Sequence, residues 1–382
     1  MPLILLYVSL IVLFCSSASV PFSSNSSSRR GSYIITAMTS NDLTSNVSVP
    51  NSTTSNERTR KFGARTNALE TIADVDLTGR TVLITGTTSG IGTETARALA
   101  LKGAHVVMAN RNIVLSEALK NRILVEKPGA KVDMIMCDLS SLQSVQAAAN
   151  EYKSKHWPLH ALILNAGVFS PTQKMTIDGL EMTFGVNHVA HQYLVRELLP
   201  LLRQSNARVV VVASTSHCHT GLKAEMSTDE KLAKLCPKES VEYGWRLYAY
   251  SKLCNVLMAM KLHRDEHKNG ISVYVLHPGT MIGTDISRSY GFLGKFWNLI
   301  TKPFTKSLEQ GAATTVYCAA SPEVHEVSGK YWESCWDDEK NFDEQLARDE
   351  ELQDALWEKT DKLLDKFESD RQPIKTVTEA GN

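Results

Sequence analysis

The sequence predicts a doubly wound α/β domain, and three observations predict it. From residue 74 onward, short β-branched runs alternate with segments of helical periodicity. The runs are apolar nearly throughout rather than at every second position, the pattern of strands covered on both faces of a parallel sheet. The first run passes through a glycine-rich turn directly into a helical segment, as the opening of a βαβ unit does.

Six strands follow in order: residues 81–85 (TVLIT), 105–109 (HVVMA), 132–136 (VDMIM), 161–164 (ALIL), 208–213 (RVVVVA) and 271–276 (ISVYVL). Helices are expected at 92–101, 142–152, 179–202 and 248–267. A closing amphipathic helix is expected within 342–367, where Leu346, Leu352, Leu356, Trp357, Leu363 and Leu364 recur at helical spacing and the charged opposite face is solvated. In such a domain ligands sit at the carboxyl ends of the strands.

Outside this core the texture changes. Residues 3–15 are apolar except for Ser9 and are followed by Ser16-Ser17-Ala18-Ser19. Thirteen residues are short of the ~20 that a membrane span needs. The stretch reads as a cleaved signal peptide, with two alternatives: a membrane anchor running to Phe22, or a translation start at Met38. A signal or anchor implies the secretory pathway or endoplasmic reticulum; an unused segment implies the cytoplasm. Residues 23–73, rich in Ser, Thr and Asn and without hydrophobic period, read as a disordered linker. They carry the sequons at Asn25, Asn46 and Asn51. The expected organisation is therefore 1–22 signal or anchor, 23–73 linker, 74–336 catalytic domain and 337–382 acidic helix and tail.

Of the 382 residues, 43% are hydrophobic and 21% charged, a globular composition. Lys+Arg and Asp+Glu are both 41, so there is no basic excess to hold a polyphosphate backbone and no nucleic-acid partner is expected. The zero conceals an uneven split: +3 over residues 1–73, +5 over 74–336 and −8 over 337–382. Seven cysteines are scattered without a C-x-x-C pair or a Cys/His cluster of zinc-finger spacing. Free thiols and no metal site are expected.

The first strand ends in TGTTSGIG, residues 85–92. Gly86, Gly90 and Gly92 let the backbone turn sharply and approach a pyrophosphate, while Thr88, Ser89 and Ile91 between them contribute to the same cradle. The helix that starts there offers free amides and the positive end of its dipole. The G-x-x-x-G-x-G spacing resembles the short-chain dehydrogenase/reductase family, in its members of about 250 catalytic-domain residues, and implies a single Rossmann-type domain. Several stretches resemble the oxidoreductase domain of WW domain-containing oxidoreductases and retinol dehydrogenase-like members, above all PFTKSLEQGAATTVYCAASPE. No WW module is visible in the first 73 residues.

The resemblance extends residue by residue. After the second strand stand Asn110 and Arg111. An acid there favours NAD; an arginine pairs with a 2′-phosphate, so NADP(H) is expected over NAD(H). Asp138-Leu139 resembles the adenine-contacting pair, and Asn165-Ala166-Gly167 the N-A-G turn beside the cofactor. Pro278 and Gly279, with Thr284, resemble the segment that carries the nicotinamide carboxamide; Thr280 competes with Thr284.

Tyr248 and Lys252 lie one helical turn apart and face the same side. Free tyrosine titrates near 10, too high for ready proton exchange at neutral pH, and a nearby ammonium would lower it. The resemblance makes Tyr248 the proton donor and acceptor, Lys252 its partner, Ser214 the residue that orients the reacting oxygen, and Asn187 the holder of a water in the proton relay. Ser214 and Tyr248 would touch substrate.

These residues imply an oxidoreductase interconverting a carbonyl and an alcohol, with a catalytically marginal binding or regulatory protein as the alternative. The glycine spacing disfavours an epimerase or dehydratase. Residues 288–306 include Tyr290, Phe292, Phe296, Trp297, Leu299, Ile300 and Phe304. They read equally as a lid over a lipophilic, retinoid- or steroid-like substrate and as a helix pair packed on the core. Membrane association through the N-terminus, and a homodimer of the kind common in the family, complete the expected partners.

Overall fold

The strands form one seven-stranded, fully parallel sheet, in a computed structural model that describes residues 59–239, 242–279, 306–325 and 327–371. The apolar segment 3–15, the three sequons, Thr280, Thr284 and the aromatic residues of 288–304 lie outside the described residues.

The chain runs β1 (Thr81–Thr85), α1 (Gly90–Leu101), β2 (His105–Asn110), α2 (Ile113–Glu126), β3 (Val132–Met136), α3 (Leu142–Ser154) and β4 (Ala161–Leu164). A helical turn Met182–Phe184 and a π turn Gly185–Val189 lead without interruption into α4 (Ala190–Gln204). Then come β5 (Arg208–Val212), α5 (Thr228–Leu235), α6 (Gly244–Glu266), β6 (Ser272–His277), α7 (Leu308–Ala320), β7 (Lys330–Glu333) and α8 (Glu350–Ser369). Across the sheet the order is β3-β2-β1-β4-β5-β6-β7, reversing between β1 and β4, the switch point at which a doubly wound sheet opens a crevice.

Alternate residues of each strand enter opposite cores, which is why the runs are apolar throughout. Leu83, Val107, Leu162, Val211 and Val275 pack with α3, α4, α6 and α8. Val82, Ile84, Met108, Ile163 and Val210 pack with α1, α2 and α7.

Four expectations change. The linker does not reach residue 73: Ala68 and Ile72 are buried in the second core, and Phe62 meets the Tyr317 ring edge-on at 5.5 Å. These are isolated anchors around a 3₁₀ turn, Glu70–Ile72, so no hydrophobic period announces them. A seventh strand, four residues long, pairs beside β6. The helix carrying Tyr248 begins at Gly244, so Tyr248 and Lys252 lie inside it rather than at its opening. The closing helix is broken before Asp349, whose side chain caps α8 by accepting from the Leu352 amide at 3.0 Å.

Helix α8 buries Leu352, Leu356 and Leu364 against the first core. Its acidic flanks are not simply solvated. Arg196 of α4 reaches Asp365 at 2.7 Å and Glu368 at 2.6 Å, and Lys261 of α6 reaches Asp354 at 3.0 Å. The acidic surplus of the C-terminal segment is thus matched to basic side chains beneath it. Among the described cysteines none is bridged, and all but Cys218 are buried.

Candidate active site

The crevice begins where β1 ends. Gly86 and Gly90 take left-handed backbone angles, φ +73° and +63°, open to glycine at little cost. A Cβ at Gly86 would come within 2.8 Å of Ala166, and one at Gly92 would strike the Gly86 carbonyl oxygen and Asn165 Nδ2. The three glycines therefore let the loop fold onto the 165–167 turn and the helix onto the loop. Ser89 offers α1 no side-chain cap, whereas α2, α3, α5, α7 and α8 are capped by Asn112, Ser141, Ser227, Ser307 and Asp349. The first amides of α1 are left unclaimed by a side-chain cap, which fits a pyrophosphate. Thr88 is half-buried and Ser89 exposed on its rim.

Asn110 turns inward. Its Oδ1 accepts from the Thr87 amide at 2.7 Å, and its Nδ2 donates to Thr87 Oγ1 at 2.7 Å and Ser116 Oγ at 2.8 Å. It is a clasp on the glycine loop. Arg111, the next residue, is exposed and pairs with no acid among the described residues. Asp138 holds Ser140 through its amide at 3.0 Å and its hydroxyl at 2.8 Å, and Leu139 is buried beside it.

The 165–167 turn is fastened to β1. Asn165 Nδ2 donates to the Thr85 and Gly86 carbonyls, both at 2.9 Å, while the Asn165 and Ala166 amides donate to Thr85 Oγ1 at 3.0 and 3.1 Å. Asn165 Oδ1 is buried with no partner among the described residues. A Cβ at Gly167 would lie 3.4 Å from Asn187 Oδ1 and 3.5 Å from Lys252 Nζ, so this glycine brings the turn against both.

Ser214 follows β5 and caps the turn Thr215–His219, accepting from the Ser216 amide at 3.2 Å. Its carbonyl is held by His217 Nδ1 at 2.7 Å. Lys252 is buried and donates to the Val212 carbonyl at 2.9 Å, and its Nζ lies 5.4 Å from the centre of the Tyr248 ring. Burial lowers the Lys252 ammonium to about 8. Burial also pushes the Tyr248 phenol up to about 12, against the opposing hydrogen bond from Ser214. Desolvation of the phenolate is the larger cause, and it favours the protonated phenol at neutral pH.

Asn187 sits in the π turn with its side chain fully engaged. Oδ1 accepts from the Val168 amide at 2.7 Å; Nδ2 donates to the Val168 carbonyl and to Ser251 Oγ, both at 3.0 Å. Ser251 in turn donates to the Tyr248 carbonyl at 2.8 Å. Across the crevice, Pro278 and Gly279 follow β6, and Gly279 has φ +117° with Lys306 packed against its open side.

Sequence reasoning missed several residues that build this site. Thr85, His191, His217 and Ser251 read as routine core or helix positions. Phe169, two residues past the turn, meets the Tyr248 ring edge-on at 5.2 Å. The i, i+4 spacing of Asn187 and His191 was the one signal available. Among the described residues no cluster of His, Cys, Asp or Glu could hold a metal.

A short chain dehydrogenase family model matches residues 80–224. The human WW domain-containing oxidoreductase is 40% identical over 306 residues, covering 80% of this chain and 73% of that protein. Mouse retinol dehydrogenase 12 is 34% identical over 292 residues, covering 76% and 88%. Among solved structures, an uncharacterised protein from Mycobacterium paratuberculosis is 26% identical with a TM-score of 0.55, covering 77% of this chain and 97% of that one. A gluconate 5-dehydrogenase from Beutenbergia cavernae with bound NADP shares the fold at 23% identity and a TM-score of 0.53, covering 67% and 95%.

Proposed function

The chain belongs to the short chain dehydrogenase family of NAD(P)(H) oxidoreductases, and from that premise we propose that it interconverts a carbonyl and an alcohol on a lipophilic small molecule with NADP(H). The observation that carries this reading is the meeting of Ser214, Tyr248 and Lys252 beside the 165–167 turn.

When bound, a reduced nicotinamide supplies hydride to the carbonyl carbon. The Ser214 hydroxyl donates a hydrogen bond to the carbonyl oxygen and orients it. The Tyr248 hydroxyl passes its proton to that oxygen as the C=O bond becomes C–O, leaving a phenolate. The buried Lys252 ammonium stabilises the phenolate and returns a proton to it. Alcohol oxidation runs these steps in reverse. Asn187 supports the site through Val168 and Ser251 rather than by offering a free side chain.

Preference for NADP(H) is supported by Arg111, exposed just after β2 and paired with no acid among the described residues, and by the absence of a carboxylate at 110, where Asn110 is spent on the loop. A lipophilic substrate is supported by the Phe169 ring against Tyr248 and by the name of the retinol dehydrogenase relative. The test is reduced-nicotinamide absorbance with the full chain, using retinaldehyde, a steroid ketone and aromatic aldehydes, NADPH and NADH in parallel. Turnover that favours NADPH and is lost in Tyr248→Phe supports the reading. NADH preference overturns the Arg111 argument alone. Cofactor binding without turnover on any carbonyl favours a binding protein instead.

A further inference from the structure

Asn187 and Thr85 lie on different elements, and one side chain joins them. His191, fully buried on α4, has Nδ1 3.0 Å from the Asn187 carbonyl and Nε2 3.0 Å from Thr85 Oγ1. The Asn187 carbonyl lies in the π turn, where the Ala190 amide bonds five residues back to Gly185 and the helical register is offset.

The hydrogen placement follows from the partners. A carbonyl can only accept, so His191 Nδ1 carries a proton. Burial keeps the ring neutral, so Nε2 is a bare acceptor. Thr85 then donates its hydroxyl hydrogen to Nε2, since its other acceptor, the Ile163 carbonyl, is at 3.5 Å. That direction leaves the Thr85 oxygen lone pairs facing the Asn165 and Ala166 amides, where it accepts both. The other nitrogen reaches, through Asn187, to Val168, Ser251 and the Tyr248 turn of α6.

We propose that His191 is a positioning residue that ties the cofactor side of the crevice to its proton-transfer side, acting as the Nδ1–H tautomer with one hydrogen bond to each. The naming of the two sides rests on the function proposed above; the tautomer and the hydrogen bonds do not.

Two variants separate the arms. His191→Asn presents an amide N–H near the former Nδ1 and keeps the Asn187 bond but not Thr85. His191→Gln extends an amide oxygen toward Thr85 and gives up Asn187. With the full chain, the expected result is NADPH binding weakened about tenfold in His191→Asn with kcat within about threefold of wild type, and the opposite split in His191→Gln. Parallel losses of both quantities that track the melting temperature, with His191→Phe the mildest variant, would show simple packing and overturn the proposal. Nitrogen-15 NMR of the histidine ring in the wild-type chain reads the tautomer without any variant. A protonated Nδ1 and no titration between about pH 5 and 9 is expected; an Nε2–H tautomer or a titrating ring overturns it. NADPH binding and the NMR signature need no turnover, so they stand or fall separately from the reaction assigned above.

Discussion

Lys252 and Tyr248 share one face of α6, with the ammonium nitrogen 5.4 Å from the centre of the phenol ring and anchored on the Val212 carbonyl. The pair lies where a buried charge is costly, and this gives the site its expected pH behaviour. The phenol sits near 12 and the ammonium near 8, so the ammonium titrates first as pH rises. In the proposed mechanism, carbonyl reduction draws its proton from this pair. Its kcat/KM is expected to be flat at neutral pH and to fall as pH rises through about 8. In Lys252→Arg, whose charge persists, the fall should move to higher pH. A wild-type profile with no step, or a step unmoved by the substitution, would contradict this assignment.

The same groups predict a stability signature. Lys252 is depressed in the folded state from 10.5 to about 8, so between those values the unfolded chain binds more protons and stability rises with pH. Tyr248 is raised from 10.0 to about 12, so above 10 the folded chain binds more and stability falls again. Replacing Lys252 with Met should remove the rise, as read by denaturant unfolding at a series of pH values.

Tyr248→Phe removes one hydroxyl while keeping the ring against Phe169. Turnover is expected to drop by about 10² to 10⁴, with NADPH binding and melting temperature close to wild type. A large loss of cofactor affinity in this variant would mean that the hydroxyl serves binding rather than proton transfer.

Arg111 stands exposed, so its substitution tests cofactor choice without disturbing the core. Arg111→Ala should raise KM for NADPH by roughly 10- to 100-fold, the value of a charge-assisted phosphate contact, and leave KM for NADH nearly unchanged. Equal effects on the two cofactors would place the arginine outside the 2′-phosphate site.

Gly86→Ala adds a methyl group to a left-handed residue already against Ala166. A loss of about 1–3 kcal/mol and an NADPH affinity weakened more than tenfold are expected. Gly129→Ala, also at positive φ but in open space, is the control: strain without collision, and cofactor affinity unchanged. Thermal melting and NADPH titration of both variants measure the difference.

The alternation of apolar runs and helical segments made the sheet legible because β1, β2, β4, β5 and β6 are buried on both faces, and the edge strand β3 keeps Val132 and Ile135 buried; β7 escaped because KYWE is four residues with charged ends. The glycine loop and the tyrosine–lysine pair were legible because their chemistry depends on spacing within one local element. Residues 59–73 were not, because Ala68 and Ile72 are anchored one at a time by distant helices.

What the sequence determined by itself, then, was the order of strands and helices and the residue types brought to the carboxyl edge. The tertiary structure alone decided which way those side chains face. Asn110 closes inward on Thr87 instead of toward a ribose, and Asn187 is consumed by Val168 and Ser251. His191 spans Asn187 and Thr85, and burial raises the phenol of Tyr248. Each of these depends on partners far apart in the chain and on desolvation inside the closed crevice. Hydrogen-bond direction and local dielectric exist only once the strands and helices have been packed together.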